Sequence, residues 1–248
     1  MLRAVTVDFW GTLIHEGPRA DDRYRDRRMA DFETILAGAG LIVSPRALAR
    51  GYDVCARELA WVWAKNQDVP VLRHVTSLLE GAVAGLSSRV APDVLDALVE
   101  AYARPALLVP PRPDEGAGVA LRTLVKAGRK LAVVSNTMRT PGTTLRKILD
   151  AHGLLEPFVH LTFSDEVGVR KPAPEIFHLT LAHLGVPPSE AVHVGDDSTL
   201  DVMGGRNAGL RVIQVNAAVP ASGAARADAV IEGLADLPRA IAELEDAR

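Results

Sequence analysis

Leu2-Arg3-Ala4-Val5-Thr6-Val7-Asp8-Phe9-Trp10-Gly11-Thr12-Leu13 runs from an apolar stretch into a carboxylate and then into a turn. Residues 2–7 read as a short buried strand ending at Asp8, and Gly11-Thr12 marks the turn. The same grammar recurs downstream. Leu131-Ala132-Val133-Val134 ends at Ser135-Asn136, and Ala191-Val192-His193-Val194 ends at Gly195-Asp196-Asp197. Further strands are expected over 159–163, 211–215 and 229–231. Helices are expected over 116–127, 140–152, 173–184, 201–208 and 237–245, several of them closed by a glycine. Strands alternating with helices imply parallel pairing with right-handed crossovers. The expected fold class is α/β, a doubly wound parallel (Rossmann-like) sheet.

One stretch breaks the alternation. From about residue 19 to 107 the pattern is helical, with Ser44-Pro45 and Ala91-Pro92-Asp93 as helix starts. About four helices form a bundle there. The chain thus divides into a core (1–15 and 109–248) and an inserted helical-bundle cap (16–108). The hinges are expected near 14–18 and 104–113, where Pro110, Pro111 and Pro113 punctuate the return.

Composition narrows the function classes. The 248 residues carry a net charge of −3, with 48% hydrophobic and only 4% aromatic residues. Neither nucleic acid nor a membrane is implied as a partner. Arg23, Arg25, Arg27 and Arg28 are interleaved with Asp21, Asp22 and Asp26 and read as a solvated helix face. Cys55 is the only cysteine, so no intramolecular disulfide forms. No signal-like or membrane-spanning stretch is seen, and the expected location is cytoplasmic.

In doubly wound sheets, ligands bind beyond the carboxyl ends of the strands. Here those ends carry Asp8, Ser135, Asn136, Asp196 and Asp197, with Asp201 one helical turn further on. Carboxylates gathered this way repel one another unless a cation intervenes. A hard divalent ion with oxygen ligands, Mg2+, suits the set, and Lys171 offers further positive charge.

Four segments, taken in order, resemble the haloacid dehalogenase superfamily along essentially the whole chain. They are Asp8-Phe9-Trp10-Gly11-Thr12-Leu13, Val133-Val134-Ser135-Asn136-Thr137, Val169-Arg170-Lys171-Pro172, and Val194-Gly195-Asp196-Asp197-Ser198-Thr199-Leu200-Asp201. The resemblance implies a nucleophile at Asp8 and a phosphoryl-binding hydroxyl at Ser135. It implies charge stabilisation by Lys171 and a metal held by Asp8, the Trp10 carbonyl and Asp196. Asp197 is a further candidate ligand, and Asp201 is expected to act in the outer shell, through water or Lys171. Thr12 and Asn136 join Ser135 and Lys171 as candidate substrate-binding residues. The implied activity is a magnesium-dependent phosphatase acting on a small phosphorylated molecule through an aspartyl-phosphate.

This sequence departs from the family pattern at Trp10. Most phosphatases of the family carry a second Asp there for proton transfer, a contribution of roughly 10²–10⁴-fold. A restricted substrate range follows, favouring good leaving groups such as acyl or aryl phosphates, with His15 as a candidate replacement acid. Carbon–halogen hydrolysis is an alternative, disfavoured by the retained Asp196, Asp197 and Asp201. Phosphonate cleavage would need Lys65, the only lysine of the helical stretch, as a Schiff base. A non-catalytic binding protein, with Trp10 plugging the site, is the third reading. Apolar cap positions are compatible with a homodimer.

Overall fold

The computed structural model describes residues 1–216 and 226–247. Six parallel strands form the main sheet. They are β1 (Ala4–Val7), β4 (Lys130–Ser135), β5 (Phe158–Phe163), β6 (Ala191–Gly195), β7 (Arg211–Val215) and β8 (Ala229–Ile231), in the spatial order β5-β4-β1-β6-β7-β8. The order reverses at β1, which is the crevice where doubly wound sheets place their ligands. Two short strands outside this sheet, β2 (Ile14–His15) and β3 (Arg112–Pro113), pair antiparallel. They fall within the two stretches expected as hinges and tie them together.

The sheet is apolar on both faces because helices cover both. Val5, Val7, Val133, Val194 and Ile213 share one cluster with Leu121, Leu145, Leu237 and Ile241. These last come from the helices α6 (Ala117–Lys126), α7 (Gly142–Ala151) and α11 (Leu237–Asp246). Ala4, Ala132 and Val134 face the other way, onto Ile176, Phe177 and Leu181 of α9 (Pro174–Leu184). The alternation Val5/Val7 against Ala4 follows from side chains pointing to opposite faces of a strand.

Between β2 and β3 lie α1 (Ala20–Gly38), α2 (Pro45–Trp63), α3 (Val71–Ala82), α4 (Pro92–Ala103) and the single turn α5 (Pro105–Leu108). The first four enclose a separate cluster containing Phe32, Leu36, Leu48, Cys55, Val75, Leu78 and Tyr102. Ser44 caps α2 as its sequence predicts, accepting from Ala47 N at 3.2 Å. Tyr24 of α1 instead joins the sheet's cluster and donates to the Val109 carbonyl at 3.2 Å.

The arginine-rich face of α1 is not uniformly solvated. Arg23 and Arg27 are exposed, but Arg28 is buried. Its guanidinium donates to the carbonyls of Tyr102 (2.8 Å) and Arg139 (3.1 Å) and lies over the Tyr102 ring. Tertiary partners override the local charge pattern there. The helix expected from Asp201 also begins earlier, as a wide turn over Ser198–Met203 that leads into α10 (Gly204–Asn207).

His74 on α3 is buried, and neither ring nitrogen makes a hydrogen bond of ordinary geometry. Burial, then the Arg139 and Arg28 cations, push its pKa down to about 3, only weakly opposed by the Val69 backbone. The folded-state pKa lies below the unfolded value, so the neutral ring's stabilisation holds above about pH 6.5 and is lost as pH falls toward 3. Near pH 5 the loss is roughly 2 kcal/mol. His74→Leu should flatten the fall in melting temperature between pH 7 and 5; an unchanged slope would assign the acid sensitivity elsewhere.

Candidate active site

Three strand ends build the site. The register pairs Val7 with both Val133 and Val194, so Asp8, Ser135 and Asp196 leave the sheet close to one level. Asp8 N donates to the Val194 carbonyl at 2.9 Å, which fixes β1 against β6 up to the carboxylate itself. Asp8, Asp196 and Asp201 bring carboxylate oxygens within 4.8 Å of one another.

Among the described residues Lys171 is the lysine that sits between them. Its Nζ lies 2.6 Å from Asp8 Oδ1 and 2.6 Å from Asp201 Oδ1. Asn136 holds that lysine's backbone at both ends, accepting from Lys171 N (2.9 Å) and donating to Lys171 O (3.0 Å). The Lys171-Pro172 bond is cis. Asp201 is saturated: Oδ1 takes Lys171 and His193 Nε2 (2.9 Å), and Oδ2 takes Asp197 N (3.0 Å). His193 Nδ1 in turn meets Thr6 Oγ1 at 2.9 Å, a chain of buried partners reaching back into β1.

The electrostatics follow from one ammonium serving two carboxylates. Asp201 is fully buried, yet Lys171 and His193 hold its carboxyl well below the usual range. Burial pushes Asp8 up, opposed by Lys171 and reinforced by Asp201. Burial works against the Lys171 charge, and Asp201 and Asp8 more than restore it, raising its pKa. Among the described residues Asp196 makes no ion pair, and Lys171 only weakly offsets its neighbours. Burial, then Asp8 and Asp201, push it up to about 6. The site therefore carries surplus negative charge on Asp196 and on the second oxygen of Asp8.

Two glycines make this packing possible. A Cβ on Gly11, whose φ is +74°, would stand 2.4 Å from Asp196 Oδ2, and one on Gly195 would stand 2.2 Å from Asp201 Cγ. Only glycine lets the backbone approach these carboxylates so closely.

The other candidates fall into place around the cluster. Thr12 Oγ1 sits 3.5 Å from Asp196 Oδ1. Ser135 is buried, with only a long 3.5 Å contact from its hydroxyl to the Asn136 carbonyl. Trp10 falls between two groups fixed by the turn: the Phe9 carbonyl and the Gly11 amide both bond to Ile14, at 2.9 Å each. Its ring meets Phe9 edge-on at 4.7 Å and lines a cavity without filling it. Asp197 lies outside the carboxylate group. It is exposed, and its Oδ1 caps the following turn, accepting from Thr199 N and Leu200 N at 2.7 Å each. His15 stands 3.7 Å from Asp114 and is absent from the lining of the cavity beside Trp10. Lys65 lies 3.1 Å over the Trp61 ring, away from the cluster.

One functional group escaped sequence reasoning. Asp68, whose side chain is fully buried, accepts from Trp63 Nε1 (3.0 Å), Val69 N (2.9 Å) and Ser164 Oγ (2.5 Å), and faces Arg170 at 3.6 Å. Arg170 stacks on Trp63 at 4.5 Å. The α2–α3 loop is thereby locked to the segment just before Lys171. Only the motif around Lys171 hinted at Arg170, and nothing flagged Asp68.

A buried carboxylate, a bridging lysine and two further aspartates thus meet at the switch point of a doubly wound sheet. A family model described as haloacid dehalogenase-like hydrolase matches residues 2–209, and the chain belongs to that family. It is 36% identical over 126 residues to a phosphoserine phosphatase of Thermus thermophilus, covering 51% of this chain and 49% of that protein. It thus spans about half the length of that relative. A glyceraldehyde 3-phosphate phosphatase of Methanopyrus kandleri is 29% identical over 87% of this chain and 84% of its own. The solved 2-haloacid dehalogenase of Pseudomonas syringae pv. Tomato DC3000 superposes with a TM-score of 0.73 at 23% identity, covering 98% of this chain and 100% of that one. That likeness speaks to the fold. No helix among the described residues is long and apolar enough to cross a membrane.

Proposed function

We propose that this hydrolase is a magnesium-dependent phosphatase acting on a small phosphorylated molecule through an aspartyl-phosphate at Asp8. One observation carries the reading: Lys171 neutralises Asp201 and one oxygen of Asp8, leaving Asp196 and the other Asp8 oxygen short of a cation. Mg2+ fits that deficit, with Asp8, Asp196 and the Trp10 carbonyl as ligands, and would supply charge neutralisation at the phosphoryl group. Asp201 serves by holding Lys171, and Asp197 by capping its turn.

The remaining chemistry belongs to the chain. A carboxylate oxygen of Asp8 attacks phosphorus, and the P–O bond to the leaving group breaks, its electron pair departing on that oxygen. Water then attacks the phosphorus of the acyl phosphate, releasing inorganic phosphate and regenerating the Asp8 carboxylate, with the proton passing to solvent. Lys171 and the Ser135 hydroxyl hold the phosphoryl oxygens. The helical insertion, residues 16–108, acts as the cap that closes over the strand ends.

The relatives' names favour phosphate esters, and Lys65, the lysine the phosphonate route would use, lies over the Trp61 ring. The deciding measurement is release of phosphate and halide, with Mg2+ and with a chelator. Phosphate release that needs Mg2+ is expected. Chloride release from 2-haloacids in chelator would replace this reading with dehalogenation. Tight ligand binding with no turnover would make the protein a binder.

A further inference from the structure

We infer that the leaving group is aromatic: the substrate is an aryl phosphate, the phosphate monoester of a phenol-like hydroxyl. This rests on the phosphatase reading and narrows it.

One support is the wall of the cavity next to the strand ends. The chain is poor in aromatic residues, with three Trp and three Tyr in all. Four of these six, Trp10, Tyr24, Tyr52 and Trp63, line one cavity of about 340 Å³ between the helical insertion and the sheet. It adjoins the strand ends, although Asp8 itself is not in its lining. Trp10 is two residues beyond Asp8, and Thr137, also in the lining, is two beyond Ser135. The guanidinium of Arg139 lies over Tyr52 at 4.5 Å and that of Arg25 at 5.2 Å, and both line the same space. Aromatic rings and guanidiniums therefore share the walls with the carboxylates of Glu16, Asp21 and Asp22. Flat, polarisable walls favour a flat ring, by stacking on aromatic faces and on guanidinium planes. The volume is at the small end of the roughly 300–1,000 Å³ typical of ligand pockets, which suits a single ring system.

The position that would carry a proton donor holds Trp10, whose indole cannot protonate a leaving oxygen. A leaving group that can depart as its anion does not need that donor. A phenol ionises near pH 10, as tyrosine does, whereas a water-like hydroxyl needs about pH 16. In the step written above, the electron pair of the broken P–O bond stays on the phenolate oxygen, which takes a proton from solvent after release. One residue thus serves both ends: the indole that removes the acid also supplies a wall for the ring that does not need one.

The test compares phosphate release by the wild-type protein with Mg2+ from phenyl phosphate, acetyl phosphate and glycerol 1-phosphate. Acetyl phosphate has a good leaving group and no ring; glycerol 1-phosphate has neither. The expected result is kcat/KM for phenyl phosphate at least 100-fold above glycerol 1-phosphate, with a KM at least tenfold below that for acetyl phosphate. Equal KM for phenyl and acetyl phosphate would overturn the inference and leave the phosphatase reading standing. So would glycerol 1-phosphate turned over as well as phenyl phosphate. No phosphate release from any of the three would sink both. Tyr52→Leu removes the platform under both guanidiniums and should lower the phenyl-to-acetyl ratio of kcat/KM at least tenfold; an unchanged ratio would overturn the assignment of this cavity. If that variant fails to fold, the wild-type panel alone decides.

Discussion

Asp8→Asn should reduce Mg2+-dependent phosphate release by at least about 10⁴-fold while leaving the fold as stable as before, or more so. The loss is large because the substitution removes the attacking atom, and removing a nucleophile cannot be made good by the surrounding binding groups. The stability follows from sign. Burial holds the Asp8 carboxyl above its ordinary pKa, so at neutral pH its ionised form is a net cost to the folded state. An amide of the same shape removes that cost, and Lys171 keeps Asp201 as its partner at 2.6 Å. Phosphate release and thermal melting at pH 7 are the two readouts. Wild-type activity in the variant would remove Asp8 from the mechanism. A collapse in melting temperature would mean that the carboxylate is structural.

Lys171→Met should do the reverse, damaging stability and activity together. It leaves two buried carboxylates, Asp8 and Asp201, without the ammonium that sits between them. Breaking a buried ion pair from one side costs about 3–5 kcal/mol. In a chain of this size that lowers the melting temperature by on the order of 10 °C. Adding Asp201→Asn to Lys171→Met should recover part of the melting temperature and none of the phosphate release. If the double variant melts no higher than the single one, the cost lies in lost packing around the lysine stem rather than in stranded charge.

The strands that carry the site were legible because each ends an apolar run on a polar residue, so Asp8, Ser135 and Asp196 could be named before any fold was known. Lys171 and Asp201 were legible through their neighbours in order along the chain. Asp197 shows where reading along the chain stops. An acidic residue before a helical turn suits a metal ligand or a cap equally well, and only the bonds to Thr199 N and Leu200 N show its present engagement. Arg28 looked solvated because its neighbours are charged, yet the carbonyls that bury it come from residues 74 and 111 positions away. The pairing of β2 with β3 involves two residues on each side, too few for any periodicity to register. Asp68 was invisible for the same kind of reason: it sits in an interhelical loop, and its key partner Ser164 is 96 positions distant.

That loop has a consequence for how the molecule is put together. An insertion in a surface turn is usually regarded as an accessory that can be exchanged or removed, leaving its host intact. Here the host leans on the insertion. The Ser164 hydroxyl ends on Asp68 Oδ2, the Gly168 carbonyl accepts from Asp68 N, and Arg170 N donates to the Asn66 carbonyl. Excising the helices would remove all three bonds from the segment 164–170 that leads to Lys171. A helical insertion borrowed from a relative would have to bring its own carboxylate to the place of Asp68.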